Sequence, residues 1–372
     1  MAGKSASCSS RSSDELDYQP SIVKESSQSS SSLCSTENDV PSSTGDWTQS
    51  LVYRLGLRYA HKLPFEMVTE HMSDLALLFP KEVDELEEAV AELGSNLSCV
   101  GYFDCDSLFD IRVHNLSLDS DEDPNTLKMK VPFKEIDVLK YLAFAKKFGY
   151  SLWYTLRERQ RGISEAKYQC LFEQFLQMFG IQVMAQPELN SESAEIFGEK
   201  VSAQADILCL SRRGGVVNQK NYMAVCEVTK ECCSADIDVG PTAPKLRRTD
   251  NTSEDLPVAK ENTSLPDGLP AQHVGQLLTY LHNSICKEAI LGMTVEKTFV
   301  TFSRLFVAGE TMDTIKRSRG SFKVKEEERP ILYHSKRYNY LLEEDRKEIV
   351  KAILALTILE HRIPLFTMMK NS

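Results

Sequence analysis

The chain has 372 residues, length for about two domains of ordinary size, and is 42% hydrophobic, 26% charged and 8% aromatic. That balance supplies a sizeable core and excludes collagen-like, coiled-coil and wholly disordered chains. The formal net charge of -11 argues against a protein that coats nucleic acid over its whole surface, because phosphate affinity comes from Lys and Arg; a local basic face stays open.

No apolar run approaches the roughly 20 residues of a bilayer span; AILALTIL, Ala352 to Leu359, falls far short, so no membrane association is expected. The N-terminus MAGKSASCSSRSSDELD has no apolar h-region, which predicts an intracellular chain, nuclear or cytoplasmic. The Asn-x-Ser/Thr triplets at Asn96, Asn115, Asn251 and Asn262 then read as chance matches. Ten cysteines without a C-x-x-C pattern read as reduced thiols, with Cys170, Cys209 and Cys226 inside apolar segments.

Residues 1–46 are Ser-dominated and nearly free of aromatics, which predicts a disordered tail. From Trp47 a region of mostly helical spacing runs to 130: Leu51, Val52, Leu55 and Leu57 to Tyr59 on one helix, Met67 to Phe79 on a second, and the acidic 82–93 on a third. Residues 97–118 alternate like strands, and the run DSDED at 119–123 closes the region as a solvated loop. This region, 47–130, yields no chemistry and is the place for a protein partner.

Residues 131–372 read as a second domain. Helices are expected over 133–156 and 164–179, the latter with Ser164 as cap and Glu165 in its first turn. A strand follows Gly180, and then QADILCL (204–210) and NYMAVCEVTK (221–230), joined across a Gly-Gly turn, predict an antiparallel hairpin. Residues 231–270 lose periodicity and read as a disordered insertion carrying Lys245, Arg247 and Arg248. Beyond it an amphipathic helix at 272–285, a strand pair at 290–294 and 298–306, and a final helix at 343–359 complete the pattern.

Chemistry concentrates in the hairpin. Asp206 and Glu227 each sit among apolar β-formers, where an ionised carboxylate is costly unless it is paired or binds a metal. Two such groups facing each other suit Mg²⁺, which takes one or two carboxylates plus waters and phosphate oxygens. Glu165 is a candidate third acid. Gln276 and Tyr280, at i and i+4, share a helix face.

Glu165, Asp206 in Ala-Asp-Ile, Glu227, and Gln276-Leu-Leu-Thr-Tyr280 occur in the order that resembles the PD-(D/E)XK nuclease superfamily, across roughly 160–310. The resemblance implies an α/β, restriction-endonuclease-like αβββαβ core. It also implies a site of Glu165, Asp206, Glu227, Gln276 and Tyr280 in which Asp206 and Glu227 hold Mg²⁺ for phosphodiester cleavage of DNA or RNA. The sequence departs from the family at the lysine: the residue two after Glu227 is Thr229, and strand alternation turns Lys230 to the opposite face. Lys230 or Lys167 are the candidates to replace it. The Pro of the Pro-Asp pair is Ala205.

Plainer readings stand beside these. Glu227 pairs with an arginine such as Arg212, Gln276 and Tyr280 are the rim of a core helix, Glu165 is a first-turn acid, and His273 and His282 are surface residues. The basic stretch at 316–325 with Lys336, Arg337, Tyr338 and Tyr340 mixes cations with aromatics, which suits a phosphate-tracking surface or a solvated loop, and Arg304, Lys316, Arg317 and Arg319 are the candidate nucleic-acid contacts. Three functions therefore remain: a divergent, nucleic-acid-associated nuclease-like domain that has lost catalysis, an active Mg²⁺-dependent nuclease, and a protein-interaction scaffold.

Overall fold

The computed structural model describes residues 40–78, 82–88, 90–91, 138–157, 163–211, 221–229, 265–266, 269–318, 322 and 324–370. The expected strands at 97–118, the acidic run, residues 1–39 of the tail and nearly all of the 231–270 insertion lie outside them, as do Arg212, Lys230 and Arg319.

The chain packs from Val40, within the stretch read as tail. Residues 44–46 form a short 3-10 turn, and Ser43 bridges to Ser202. Helix α1 (Gln49–Arg54) starts where Thr48 Oγ1 accepts from the Leu51 amide at 3.4 Å. The expected helix through Tyr59 does not form. Gly56 takes φ 59°, a left-handed turn open to glycine, and RYAH becomes strand β1 (Arg58–His61). Helix α2 (Pro64–Asp74) begins with proline in its first turn, and Glu66 Oε2 accepts from the Leu63 amide at 3.0 Å. Residues 82–88 and 90–91 are helical, as the acidic spacing predicts, with Leu86 and Val90 buried and Glu87 ion-paired to Lys351.

Helices α3 (Val138–Arg157) and α4 (Glu165–Met178) follow, with Ser164 at the N-cap and Gly180 at φ 86° after the end of α4. Next come β2 (Val183–Ala185), a two-stranded ribbon of β3 (Glu192–Ile196) and β4 (Glu199–Ala203), then β5 (Ile207–Leu210) and β6 (Tyr222–Thr229). Helix α5 (Ala271–Tyr280) leads to β7 (Ala289–Glu296), β8 (Phe299–Phe306), α6 (Gly309–Arg317), β9 (Ile331–His334), β10 (Tyr338–Asn339) and the long α7 (Glu343–Lys370).

The architecture is mixed α/β around an eight-stranded sheet in the order β1-β9-β8-β7-β6-β5-β2, with β10 beside β8. Strands β2, β5 and β6 run antiparallel in succession; β7 lies parallel to β6, reached through α5; β8 returns antiparallel to β7. At the far edge β1 pairs parallel with β9, Arg58 opposite Ile331. The sequence reading set 47–130 apart from 131–372, yet β1 is a strand of the same sheet and α2 packs on α7, β7 and β8.

Strand alternation sends side chains to two cores. Ile207, Cys209, Cys226, Val228, Met293 and Val295 face a layer that includes Phe148, Phe172, Phe175, Tyr340 and Ile353 of the helical side. Leu208, Val225 and Ile290 face the other, where α5 lies under Trp47, Leu51, Val201 and Ile315. Among the described residues no helix is long and apolar enough to cross a membrane.

Candidate functional site

Asp206 precedes β5 by one residue. The register pairs Ile207 with Cys226 and Leu208 with Val225, so one step back along the antiparallel ladder places Asp206 opposite Glu227. The Asp206 amide donates to the Cys226 carbonyl at 3.2 Å, and Asp206 Oδ2 accepts from the Val228 amide at 2.7 Å. The aspartate thus occupies a place that the backbone ladder would otherwise fill, and its carboxylate is fixed against β6.

Helix α5 supplies the opposite wall. Gln276 Nε2 donates to Glu227 Oε2 at 2.5 Å and to the Gln204 carbonyl at 3.1 Å, while Gln272 Nε2 donates to Glu227 Oε1 at 2.5 Å. One turn on, the Tyr280 hydroxyl accepts from the Ala205 amide at 3.2 Å and donates to the Ala203 carbonyl at 3.4 Å. Gln276 and Tyr280 are therefore on one face, as their spacing predicts, and that face grips the backbone from the Ala203 carbonyl to the Ala205 amide. From α4, Gln169 Nε2 donates to the Asp206 carbonyl at 3.1 Å, and Gln186 Nε2 donates to the Ala205 carbonyl at 3.1 Å. The peptide units around Asp206 are held from three directions.

Electrostatics follow from this packing. Burial, the neighbouring Asp206 charge and Glu165 together push Glu227 up to about 8, against the opposing amides of Gln276 and Gln272. Asp206 rises to about 6 through burial, with Glu165 adding repulsion and the Val228 amide opposing. Glu165 is exposed at the start of α4 and acts on both through space. Beneath them the Cys226 thiol is pushed well up by burial and by its contact with Cys209. Without a cation, the site holds a proton that an isolated carboxylate pair would release.

A divalent cation fits this donor set. Buried carboxylates that repel each other lose that penalty beside an ion. Each Glu227 oxygen already accepts one amide hydrogen, which leaves a lone pair on each for an ion. The lysine position is Thr229, which pairs with Glu296 at the end of β6 and donates no charge. Lys167 is half-buried on α4, two residues past Glu165.

The expected basic surface divides. Arg304 is 4% exposed on β8, ion-paired with Asp74 and, at 3.5 Å, with Glu70, and lies over the Phe306 and Tyr333 rings. It is an internal residue. Lys316 and Arg317 end α6; Arg317 is exposed, and Lys316 lies 3.7 Å from Asp313. His273, expected at the surface, is fully buried, with Nε2 3.0 Å from Ser303 Oγ; burial holds its imidazole down to about 3. His282 is exposed as expected.

Sequence reasoning missed Gln272, Gln169 and Gln186. Gln272 and Gln276 are one turn apart, a spacing that could have flagged the pair; the bonds of Gln169 and Gln186 to the Asp206 and Ala205 carbonyls carry no local signal because they span 37 and 19 residues. Searches against protein-family models, characterised proteins and solved structures find no match for this chain.

Proposed function

We propose that this chain is a divergent restriction-endonuclease-like module that meets nucleic-acid phosphate at the Asp206–Glu227 site and has lost efficient cleavage. The observation that carries the reading is the opposition of these two carboxylates on adjacent antiparallel strands, with Gln276 binding Glu227 from the crossover helix. Support comes also from strand order: three antiparallel strands, a helix and a fourth strand parallel to the third follow the αβββαβ sequence that the resemblance implies.

Asp206 and Glu227 are the residues that would hold Mg²⁺, and the ion would supply activation of water and neutralisation of phosphate charge. Gln276 and Gln272 orient the Glu227 carboxylate, and Tyr280 fixes the backbone from which Asp206 projects. Loss of cleavage follows from Thr229, which brings no ammonium to stabilise developing charge.

The test is a thermal melt with and without Mg²⁺ or Mn²⁺, alongside incubation with a labelled single-stranded oligonucleotide. A metal-induced rise in midpoint that disappears in Asp206→Asn, with retarded but uncut oligonucleotide, is the expected result. Efficient cleavage lost in Asp206→Asn would establish the active nuclease instead. Neither metal response nor nucleic-acid binding would leave the scaffold reading.

A further inference from the structure

On the far side of the sheet from α5, a second group of ligand-type side chains converges. His71 and Asp74 lie at i and i+3 on α2, and Cys286 sits just before β7; one ligand atom from each falls within 4.8 Å of the others. Among the described residues this is the one group of three such side chains. His71 is fully buried, and neither of its ring nitrogens has a hydrogen-bond partner. A buried imidazole normally donates from one nitrogen and accepts at the other, so a fully buried ring with both unpaired, beside the exposed Asp74, is poised for a ligand.

We propose that His71, Asp74 and Cys286 bind a zinc ion, with the fourth position open to water. Nitrogen, sulfur and oxygen donors in one site match the borderline-soft character of Zn²⁺ and do not suit Mg²⁺. Bond lengths of about 2.0–2.3 Å put tetrahedral ligand atoms about 3.3–3.7 Å apart, so the three donors close by small side-chain rotations around the ion.

The backbone already holds the ligands in place. The Cys286 amide donates to Ser284 Oγ at 3.3 Å, Cys286 bridges Ala289, and the Ile285 amide donates to the Tyr222 carbonyl at 3.0 Å. Helix α2 packs directly on β7 and β8. Asp74 Oδ2 is taken by Arg304, which orients the carboxylate and leaves its other oxygen for the ion. Asp74 and a Cys286 thiolate match the charge of a divalent ion, while Glu70 is shared between Arg304 and Lys62. The ion would staple α2 to the entrance of β7.

Cobalt(II) reports on this site, because a thiolate ligand gives a near-ultraviolet charge-transfer band and tetrahedral geometry gives strong visible bands. The full chain, stripped with a chelator, is titrated with Co²⁺ and then Zn²⁺. The expected result is one Co²⁺ per chain with both signatures, displaced by one Zn²⁺, and a zinc-dependent rise in thermal midpoint. Cys286→Ser and Cys286→Ala should lose the charge-transfer band, and Asp74→Asn should weaken binding at least tenfold. Asp206→Asn should leave the thiolate charge-transfer band and its Co²⁺ dependence unchanged, because that band reports only the ion bound by Cys286, which separates this site from the proposed magnesium site. A wild-type chain without the thiolate band, or Cys286 variants that fold and retain the same spectrum, would overturn the proposal. If the Cys286 variants do not fold, the wild-type spectrum, stoichiometry and midpoint decide.

Discussion

The carboxamide of Gln276 reaches from α5 to Glu227 on β6 and, with its second hydrogen, to the Gln204 carbonyl just before β5. One side chain therefore fixes both halves of the carboxylate pair, since Asp206 is two residues beyond Gln204.

Replacing it with a residue of similar size and no polar atoms tests that tie. Gln276→Leu leaves the Gln204 carbonyl and one Glu227 oxygen without their donor, and an unpaired buried acceptor costs about 1–3 kcal/mol. Urea unfolding should show a loss of that size at neutral pH. The loss should be larger above about pH 8, where Glu227 is ionised and leans more heavily on the amide donor.

The raised pKa values give a pH dependence whose sign is fixed. Glu227 rises from 4.5 to about 8 and Asp206 from 3.8 to about 6 on folding, so between those limits the folded chain binds more protons than the unfolded one. Their stabilising effect is complete below about pH 4 and is lost as pH rises toward 8. Buried His71 and His273, each held down to about 3, act the other way, gaining stability as pH rises through the unfolded imidazole value near 6.5. The difference in unfolding free energy between wild type and Glu227→Gln cancels the histidines. It should fall by about 1 kcal/mol or more from pH 5 to pH 8, and saturating Mg²⁺ should flatten that fall.

Gly275 lies where α5 meets the N-terminal segment. A Cβ there would stand 2.7 Å from Trp47 Cδ2 and 2.9 Å from Thr44 Cγ2. Gly275→Ala should destabilise by about 1–3 kcal/mol, because a packed indole must move. Near-ultraviolet circular dichroism should register the moved ring while far-ultraviolet helix content stays.

The basic candidates should separate by salt dependence. If oligonucleotide binding is found, Lys316→Gln with Arg317→Gln should lower the slope of log affinity against log salt by about 1.4, the value for two contacts on a single strand. Arg304→Gln should leave the slope alone and reduce stability by about 1–3 kcal/mol, a range kept low because its partners Asp74 and Glu70 are 36% and 39% exposed. An unchanged slope in the double variant would remove α6 from the interface.

Elements with strong periodicity were legible. The β5–β6 hairpin, α4 and the Gln276–Tyr280 face stand where apolar spacing puts them. The β3–β4 ribbon was not, because ESAEI and EKVSA are rich in Glu, Lys, Ser and Ala, residues that strands do not favour. Its one local signal is the turn Phe197-Gly198, both at positive φ. Strand β1 was read as helix because its partner β9 lies over 270 residues away and no window contains both. The burial of His273 is not legible, because its spacing of nine from His282 says only that the two do not form a zinc pair. Packed between the sheet on one side and α1, β3 and β4 on the other, the helix is buried from His273 through Tyr280.

Strand β1 also governs how the chain can be divided. It covers the outer side of β9 over four residues, Arg58 to His61, and with it come Trp47 and Leu51, which lie against α5. A fragment begun at residue 131 would present the amides and carbonyls of β9 as an open edge and expose the apolar side of α5. Such an edge recruits strands from other copies, so the shorter fragment should self-associate, whereas a fragment begun at residue 40 keeps its own edge occupied.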